Sequence, residues 1–442
     1  MFKRIQRAEE FSNQIGEIFG TIEKGKTRNV TFVVTERCNL VCGYCYECNK
    51  SNKRMTFDVA KRFIDMLFDT DDGSILANII EFIGGEPFLE IDLITQICEY
   101  WDYKCIMTEH RWGSRTIFNF SSNGMNYHEP KVQEFMKKYH KRVSINITID
   151  GDKELHDSCR VTPDGKGSYD IAHSNAELHK SLYGADSMGS KITIAPENLK
   201  YLYKAIKHYI LNDNAYDINA NTVFEDGWGI DHAELFYQEL KKIADFMIDN
   251  DYEDRYLSLF QENGFSPQSE KDNQNYCGGT GSMLACGTDG KIFPCIRYMG
   301  MSLGNSREEL TCGNLDDGID KEMLEDMYKT VTRRSQSTDE CYYCPIAKFC
   351  SWCSGYNYQV FGTVNKRATF ICVMHKARSL GNVYYWNRIY KKHNIQDKFK
   401  RWLSDEESLK IIDQDELNLL NSLENQFKNS RVINDIEDDS NI

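Results

Sequence analysis

The sequence predicts an α/β fold built around a parallel sheet. Strand-like runs rich in β-branched residues alternate with helical patterns through the first half of the chain. Four successive runs end in polar or glycine-rich segments. Such alternation implies βαβ units and parallel strands. In folds of this kind the active site lies at the C-terminal strand ends, so the four segments mark one site.

The elements follow in order. Residues 8–19 (AEEFSNQIGEIF) place Phe11, Ile15, Ile18 and Phe19 on one helical face. Residues 29–35 (NVTFVVT) read as the first strand, and 79–83 (IIEFI), 116–121 (TIFNFS), 143–149 (VSINITI) and 191–195 (KITIA) as further strands. Helical patterns lie between, at 56–68 and 130–140, and a charged helical stretch runs from about 232 to 262. A cysteine-rich segment spans 277–372. The tail after about 395 is charged and helical, and its last stretch, NDIEDDSNI, is expected to be disordered. Gly20-Thr-Ile-Glu-Lys-Gly25-Lys26-Thr27 matches the P-loop pattern. That motif needs a strand before it and a helix after it. Here the order is reversed, so a surface linker is the better reading.

The chain has 442 residues, 41% of them hydrophobic, enough for two or three domains on the length prior. A net charge of −14 argues against a phosphate-tracking nucleic-acid binder. The charged N-terminus leads into no apolar segment of a signal peptide, and no apolar run is long enough to cross a membrane. The expected compartment is the cytosol. In a reducing compartment sixteen cysteines read as metal ligands before disulfides.

The first strand runs into TERCNLVCGYCYE; the second ends in Gly84-Gly85-Glu86-Pro87, the third in Ser121-Ser122-Asn123-Gly124, and the fourth in Thr148-Ile149-Asp150-Gly151. Cys38, Cys42 and Cys45 supply three thiolates at close quarters. A cubane cluster normally takes four cysteine ligands; three leave one iron open, as catalysis requires. Cys48 keeps a ferredoxin-like reading in view, in which it closes the cluster and the site only carries electrons.

Downstream, Cys341-x2-Cys344-x5-Cys350-x2-Cys353 is followed by Cys372 and preceded by Cys277, Cys286, Cys295 and Cys312. Cysteines two residues apart can reach one metal, and spacing alone leaves zinc as an alternative to iron. Cys98, Cys105 and Cys159 lack partner spacing and read as small buried hydrophobes.

The C-x3-C-x2-C loop, with Tyr44 before its last cysteine, resembles the radical S-adenosylmethionine (SAM) superfamily. The resemblance implies a partial (β/α)6 TIM-type barrel in which SAM chelates the open iron. Tyr44 then contacts adenine, and Glu86 in Gly84-Gly85-Glu86-Pro87 binds the methionine ammonium. Ser122 and Asn123 belong to the same cofactor site, and Thr148 and Arg160 contact the methionine carboxylate. The family more often has Ser at the Thr148 position. His156 falls in a family segment whose role is structural or catalytic.

The cysteine-rich segment, with Cys277-Gly-Gly and Gly290-Lys-Ile-Phe-Pro-Cys295, resembles a SPASM domain. That implies two auxiliary [4Fe–4S] clusters, three clusters in all. One would use Cys341, Cys344, Cys350 and Cys372; the other Cys277, Cys295 and Cys353, with Cys312 or Cys286 as candidate fourth ligand. The family often has three residues between the Cys350 and Cys353 positions, where this chain has only Ser351 and Trp352.

The implied organisation is an N-terminal helix and linker (1–28), a radical SAM partial barrel (29–230), a helical linker (231–276), a SPASM domain (277–378), and C-terminal helices with an acidic tail (379–442). A radical SAM barrel with a SPASM domain is similar to enzymes that modify ribosomal peptides. The segments SINITIDGDKELHDSCR and CPIAKFCSWCSGYNYQ resemble maturases that join a cysteine sulfur to carbon. The implied partners are a cysteine-containing precursor peptide and a reductant such as flavodoxin or ferredoxin, with no nucleic acid and no membrane. Formylglycine formation in sulfatases, peptide epimerisation and a non-catalytic electron-transfer or scaffold role are the alternatives. Many peptide maturases carry a leader-binding domain of about 80 residues; with about 28 residues ahead of the first strand, a complete one is not expected here.

Overall fold

The computed structural model describes residues 26–184, 187–262, 265–304 and 307–438, with 427–438 described by backbone alone. The expected helix over 8–19 and most of the P-loop-like stretch lie outside the described residues; Thr27 opens a strand. In chain order the strands are β1 (Thr27–Thr35), β2 (Ala77–Gly84), β3 (Thr116–Ser122), β4 (Val143–Ile147), β5 (Ser190–Ile194), β6 (Asp217–Thr222), β7 (Tyr256–Leu257), β8 (Met283–Cys286), β9 (Lys291–Phe293), β10 (Gly313–Asn314) and β11 (Gly318–Ile319). The chain forms two compact units interleaved along the sequence. One takes in residues up to 192, 274–337 and 353–367; the other takes in 193–273, 338–352 and 368 onward.

The first unit is organised by an eight-stranded sheet in the order β11-β10-β9-β8-β1-β2-β3-β4. β1 to β4 are parallel neighbours, and β8 joins β1 in parallel on its other side. β1 is thus central, and Val30, Phe32, Val33 and Val34 are fully buried. A strand covered on both faces reads as a continuous apolar run instead of alternating, as NVTFVVT does. Phe32 pairs with Phe82, and Phe82 with Phe120. In register these rings share one face, with centroids 6.0 and 5.2 Å apart. Full burial of each contributes about 1.5–3 kcal/mol. The helix Phe57–Asp69 starts at Thr56, whose hydroxyl accepts the Val59 N–H at 3.3 Å. It buries Ala60, Phe63, Ile64 and Leu67 as one stripe, and Phe63 meets Phe32 edge-on at 5.2 Å.

The predicted α/β architecture with a parallel sheet is present, with the barrel-type strands distributed over two sheets. A three-stranded sheet has the order β5-β6-β7, and in the second unit β6 pairs in parallel with β7, Asp217 opposite Tyr256. That unit also holds the helix Ile230–Asp249 and the helix Cys372–Lys392.

Three sequence expectations change at their edges. The helical stretch expected to 262 stops at Asp249, because Asp251 turns into the left-handed region at φ 57°. β4 ends at Ile147, so Thr148 lies just beyond it. The helix Gln414–Asp438 takes in the first five residues of the tail expected to be disordered. Among the described residues no helix is long and apolar enough to cross a membrane.

Candidate active site

β1 delivers the chain into the cysteine loop, and its neighbours hold that loop in place. Gly43 N–H donates to Cys159 C=O at 3.2 Å and Val41 N–H to Val161 C=O at 2.8 Å. The loop is thereby clamped to the segment that carries Arg160. On the other side Gly85 N–H donates to Thr35 C=O at 3.2 Å and Glu86 N–H to Arg37 C=O at 2.9 Å. A Cβ added at Gly85 would lie 2.2 Å from the Arg37 oxygen and 2.7 Å from Cys38 Cβ. The two glycines of the second strand end are therefore needed for close approach of the cysteine loop.

Cys38, Cys42 and Cys45 are part-buried, and Cys48 is exposed. Cys38 Sγ accepts the Leu40 N–H at 3.4 Å and faces the Asn123 amide at 3.8 Å; Cys45 Sγ accepts from Lys50 Nζ at 2.9 Å. Burial pushes the Cys38 thiol up to about 11 and raises that of Cys42. Such thiols give up protons when iron takes their place.

The Glu86 carboxylate sits at the next strand end, almost fully buried. Its Oε1 accepts from Phe88 N–H at 3.0 Å and Ser122 Oγ at 2.9 Å, and Oε2 accepts from Asn123 N–H at 2.8 Å. A carboxylate has about four acceptor positions, so these three leave capacity for one more donor. Asn123 also binds Asn39 of the cysteine loop at 2.7 Å. Thr148 is buried, and its N–H donates to Ser122 C=O at 3.0 Å.

At the fourth strand end, the half-buried Tyr44 joins the buried Asp150 and Arg160 in a triad. Arg160 Nε pairs with Asp150 Oδ2 at 2.8 Å, the Tyr44 hydroxyl also donates to Asp150, and the guanidinium lies 5.5 Å from the Tyr44 ring centre. Buried charges need such pairing. His156 is fully buried behind the triad. Its Nδ1 accepts the Asp150 N–H at 3.2 Å, its Nε2 meets Ser168 Oγ at 2.9 Å, and Ser168 donates to Arg160 C=O at 2.8 Å. One neutral tautomer satisfies the chain. Burial, with Arg160 adding, pushes the ring down to about 4. His156 holds the backbone that aims Asp150 and Arg160.

Sequence reasoning missed Asp150, Lys50 and Glu47. Asp150 lies in the Thr148-Ile149-Asp150-Gly151 segment just beyond β4, but its role appears only where Tyr44 and Arg160 approach it. Glu47 is buried and pushed up to about 7 by desolvation; nothing in its local sequence marks it. Cys159 is half-buried, unlike Cys98 and Cys105, because its backbone has to reach the cysteine loop.

The remaining cysteines fall into two groups. In the first unit Cys277, Cys295 and Cys353 bear electrostatically on one another, and burial pushes Cys295 up to about 12. A Cβ at Gly279 would lie 3.4 Å from Cys295 Sγ and 3.7 Å from Cys277 Sγ, so the glycine leaves open the space between two thiols. Cys312 is buried, with Asp320 as its charged neighbour, and Cys286 is buried beside Asp289; neither is grouped with the three. In the second unit Cys350, Cys344 and Cys341 act on Cys372, which burial pushes up to about 12. Cys341 N–H is capped by Thr338 Oγ1, Cys344 N–H donates to Cys341 C=O, and Cys372 opens a helix. Cysteines grouped in threes and fours at part-buried positions suit iron–sulfur clusters.

Parallel strands that bring a three-cysteine loop, a buried carboxylate and a buried arginine to one sheet edge define a class of α/β iron–sulfur protein. The family of 4Fe-4S single cluster domains matches residues 24–170. An uncharacterized protein of Methanocaldococcus jannaschii is 28% identical over 290 residues, 64% of this chain and 90% of that protein. The radical SAM cyclopropyl synthase TigE of Paramaledivibacter caminithermalis is 22% identical over 379 residues, 80% and 74% of the two chains. The antilisterial bacteriocin subtilosin biosynthesis protein AlbA of Bacillus subtilis is 24% identical over 289 residues, 63% and 57% of the two. The solved structure of anSMEcpe with bound AdoMet and Cp18Cys peptide shares the fold, with a TM-score of 0.59 at 16% identity over 83% of this chain and 99% of that one. The chain is thus similar to radical SAM maturases that act on peptides, in sequence and in fold.

Proposed function

We propose that this protein is a radical SAM maturase that installs thioether crosslinks in a ribosomally made precursor peptide, joining a cysteine sulfur to carbon. The observation that carries the reading is the group Cys277, Cys295 and Cys353, three thiols without Cys312 beside the open cradle at Gly279. A cluster held by three cysteines leaves one iron for a peptide thiolate, and low-pKa thiolates bind iron readily. Residues 29–230 then hold SAM and one [4Fe–4S] cluster, and 277–378 hold two more. Support for a peptide partner comes from a solved relative whose structure contains the Cp18Cys peptide.

In this reading Cys38, Cys42 and Cys45 hold the SAM-binding cluster. Tyr44 faces the adenine. Glu86 takes the methionine ammonium on its remaining acceptor position, while Ser122 and Asn123 fix the carboxylate. Thr148 and Arg160 take the methionine carboxylate, and Asp150 holds Arg160 by Nε so that its terminal amino groups face the cofactor. Cys341, Cys344, Cys350 and Cys372 hold a closed auxiliary cluster.

When bound, SAM supplies a 5′-deoxyadenosyl radical that takes hydrogen from carbon, and the clusters, fed by a donor such as flavodoxin or ferredoxin, carry electrons. Each sulfur–carbon bond removes the thiol proton, one carbon-bound hydrogen and one further electron, so the product is two hydrogens lighter. Incubation with a cysteine-rich precursor, SAM and reductant tests this. A product lighter by two hydrogens, with one 5′-deoxyadenosine per bond, is expected. Formylglycine on a sulfatase peptide, or deuterium uptake from D2O without mass loss, refutes it in favour of another peptide modification. Absence of 5′-deoxyadenosine under all conditions refutes the radical reading itself.

A further inference from the structure

Tyr298 ends the short 3-10 helix Ile296–Tyr298, one turn after Cys295, and its N–H donates to Cys295 C=O at 3.1 Å. The ring is fully buried among Val33, Ala285, Phe293, Met299 and Met301, with Cys295 packed against the same cluster. Tyr358 meets it edge-on at 5.8 Å. Phenylalanine would satisfy this packing equally well. The hydroxyl, however, is buried with no hydrogen-bond partner among the described residues, which is unfavourable for a group that water would otherwise satisfy. Cys277, Cys295 and Cys353 all lie within electrostatic reach of it. The sulfurs of a cluster on these three cysteines are acceptors without protons of their own, which is the partner this hydroxyl lacks.

We propose that the Tyr298 O–H donates a hydrogen bond to a sulfur of the iron–sulfur cluster held by Cys277, Cys295 and Cys353, and raises its reduction potential. The proposal rests on these cysteines holding a cluster. Hydrogen bonds to cluster sulfurs are one of the terms that set potential, because they stabilise the more negative reduced state.

The test uses full-length protein carrying C38A, C42A and C45A, which leaves only the auxiliary clusters, reconstituted anaerobically and titrated by EPR. Y298F keeps the ring and its packing. It should leave iron and sulfide unchanged and lower one of the two potentials. The expected change is about tenfold in the reduced-to-oxidised ratio at fixed potential, or about 59 mV for one electron. Site-specific 3-fluorotyrosine at the same position, a stronger donor, should move that signal the other way. If Y298F loses iron, the fluorotyrosine protein, which keeps the hydroxyl, decides on the same signal. Potentials unmoved in a fully loaded protein overturn the proposal. Auxiliary iron that survives Cys295→Ser but is lost with Cys341→Ser overturns the underlying assignment instead.

Discussion

Gly85→Ala tests the joint between the second strand end and the cysteine loop. The new methyl carbon would lie 2.2 Å from the Arg37 oxygen, 2.4 Å from the Arg37 carbonyl carbon and 2.7 Å from Cys38 Cβ. These are backbone atoms and a first side-chain carbon, so no flexible group can swing aside; β2 and the cysteine loop must part. Parting them disrupts Gly85 N–H to Thr35 and Glu86 N–H to Arg37, at about 1 kcal/mol each. Overpacking adds about 1–3 kcal/mol. A total of about 3–5 kcal/mol is a large part of the 5–15 kcal/mol that typically holds a domain together. At about 2 °C per kcal/mol for a unit of this size, the Tm should fall by about 6–10 °C. Displacement of Cys38 should also remove the iron of the first cluster while the auxiliary iron stays. Calorimetry and iron analysis of anaerobically reconstituted protein measure both. Gly43→Ala is the control, since a Cβ there meets nothing within 4 Å although it lies between Cys42 and Tyr44. Gly85→Ala with normal Tm and full iron, or Gly43→Ala equally damaged, refutes the reasoning.

Two further outcomes follow from buried groups. His156 is held neutral at about 4 in the folded protein, against about 6.5 in an unfolded chain. The unfolded state therefore binds more protons between these values, and stability falls as pH drops from 6.5 to 4, by up to about 3 kcal/mol from this residue. Above about 6.5 its contribution is flat. Melting curves of His156→Gln should show a shallower loss through that window, and an unchanged slope counts against the assignment. Cys312→Ser should leave iron content intact while Cys353→Ser lowers it, because Cys353 acts on Cys295 and Cys277 whereas Cys312 neighbours Asp320; equal losses in plasma emission analysis would reverse that ranking.

What was legible depended on whether the chemistry was local. The strands were readable because Val30, Phe32, Val33 and Val34 form an apolar run that only a doubly covered strand requires. The cysteine loop was readable because thiol spacing along a loop already limits what can be held. Glu86 stood out because an acid after two glycines at a strand end is unusual. Asp150 hid in a segment that reads equally well as a turn, and only the approach of Tyr44 and Arg160 from distant positions gives it a role. Tyr298 reads as an ordinary core aromatic, since the lack of a partner for its hydroxyl is a three-dimensional property. In the sequence the two strand-end glycines read only as companions of Glu86; the closeness of Gly85 to Arg37 and Cys38 arises from sheet register. Cys350 and Cys353, with only Ser351 and Trp352 between them, give no sign in the sequence that they fall in different compact units.

The position of β1 also has a consequence for how the chain is made. Its free side is covered by β8, where Phe32 meets Cys286, about 250 residues later. At roughly 5–20 residues per second, synthesis takes about 12–50 s to supply that partner. Until then a nascent chain with β1 to β4 already assembled presents an apolar strand edge, a template for pairing with other chains. Truncation before residue 283 would make that exposure permanent. The cysteine-rich segment is therefore also the closing strand of the sheet, and a shortened version without it should aggregate instead of folding as a simpler enzyme.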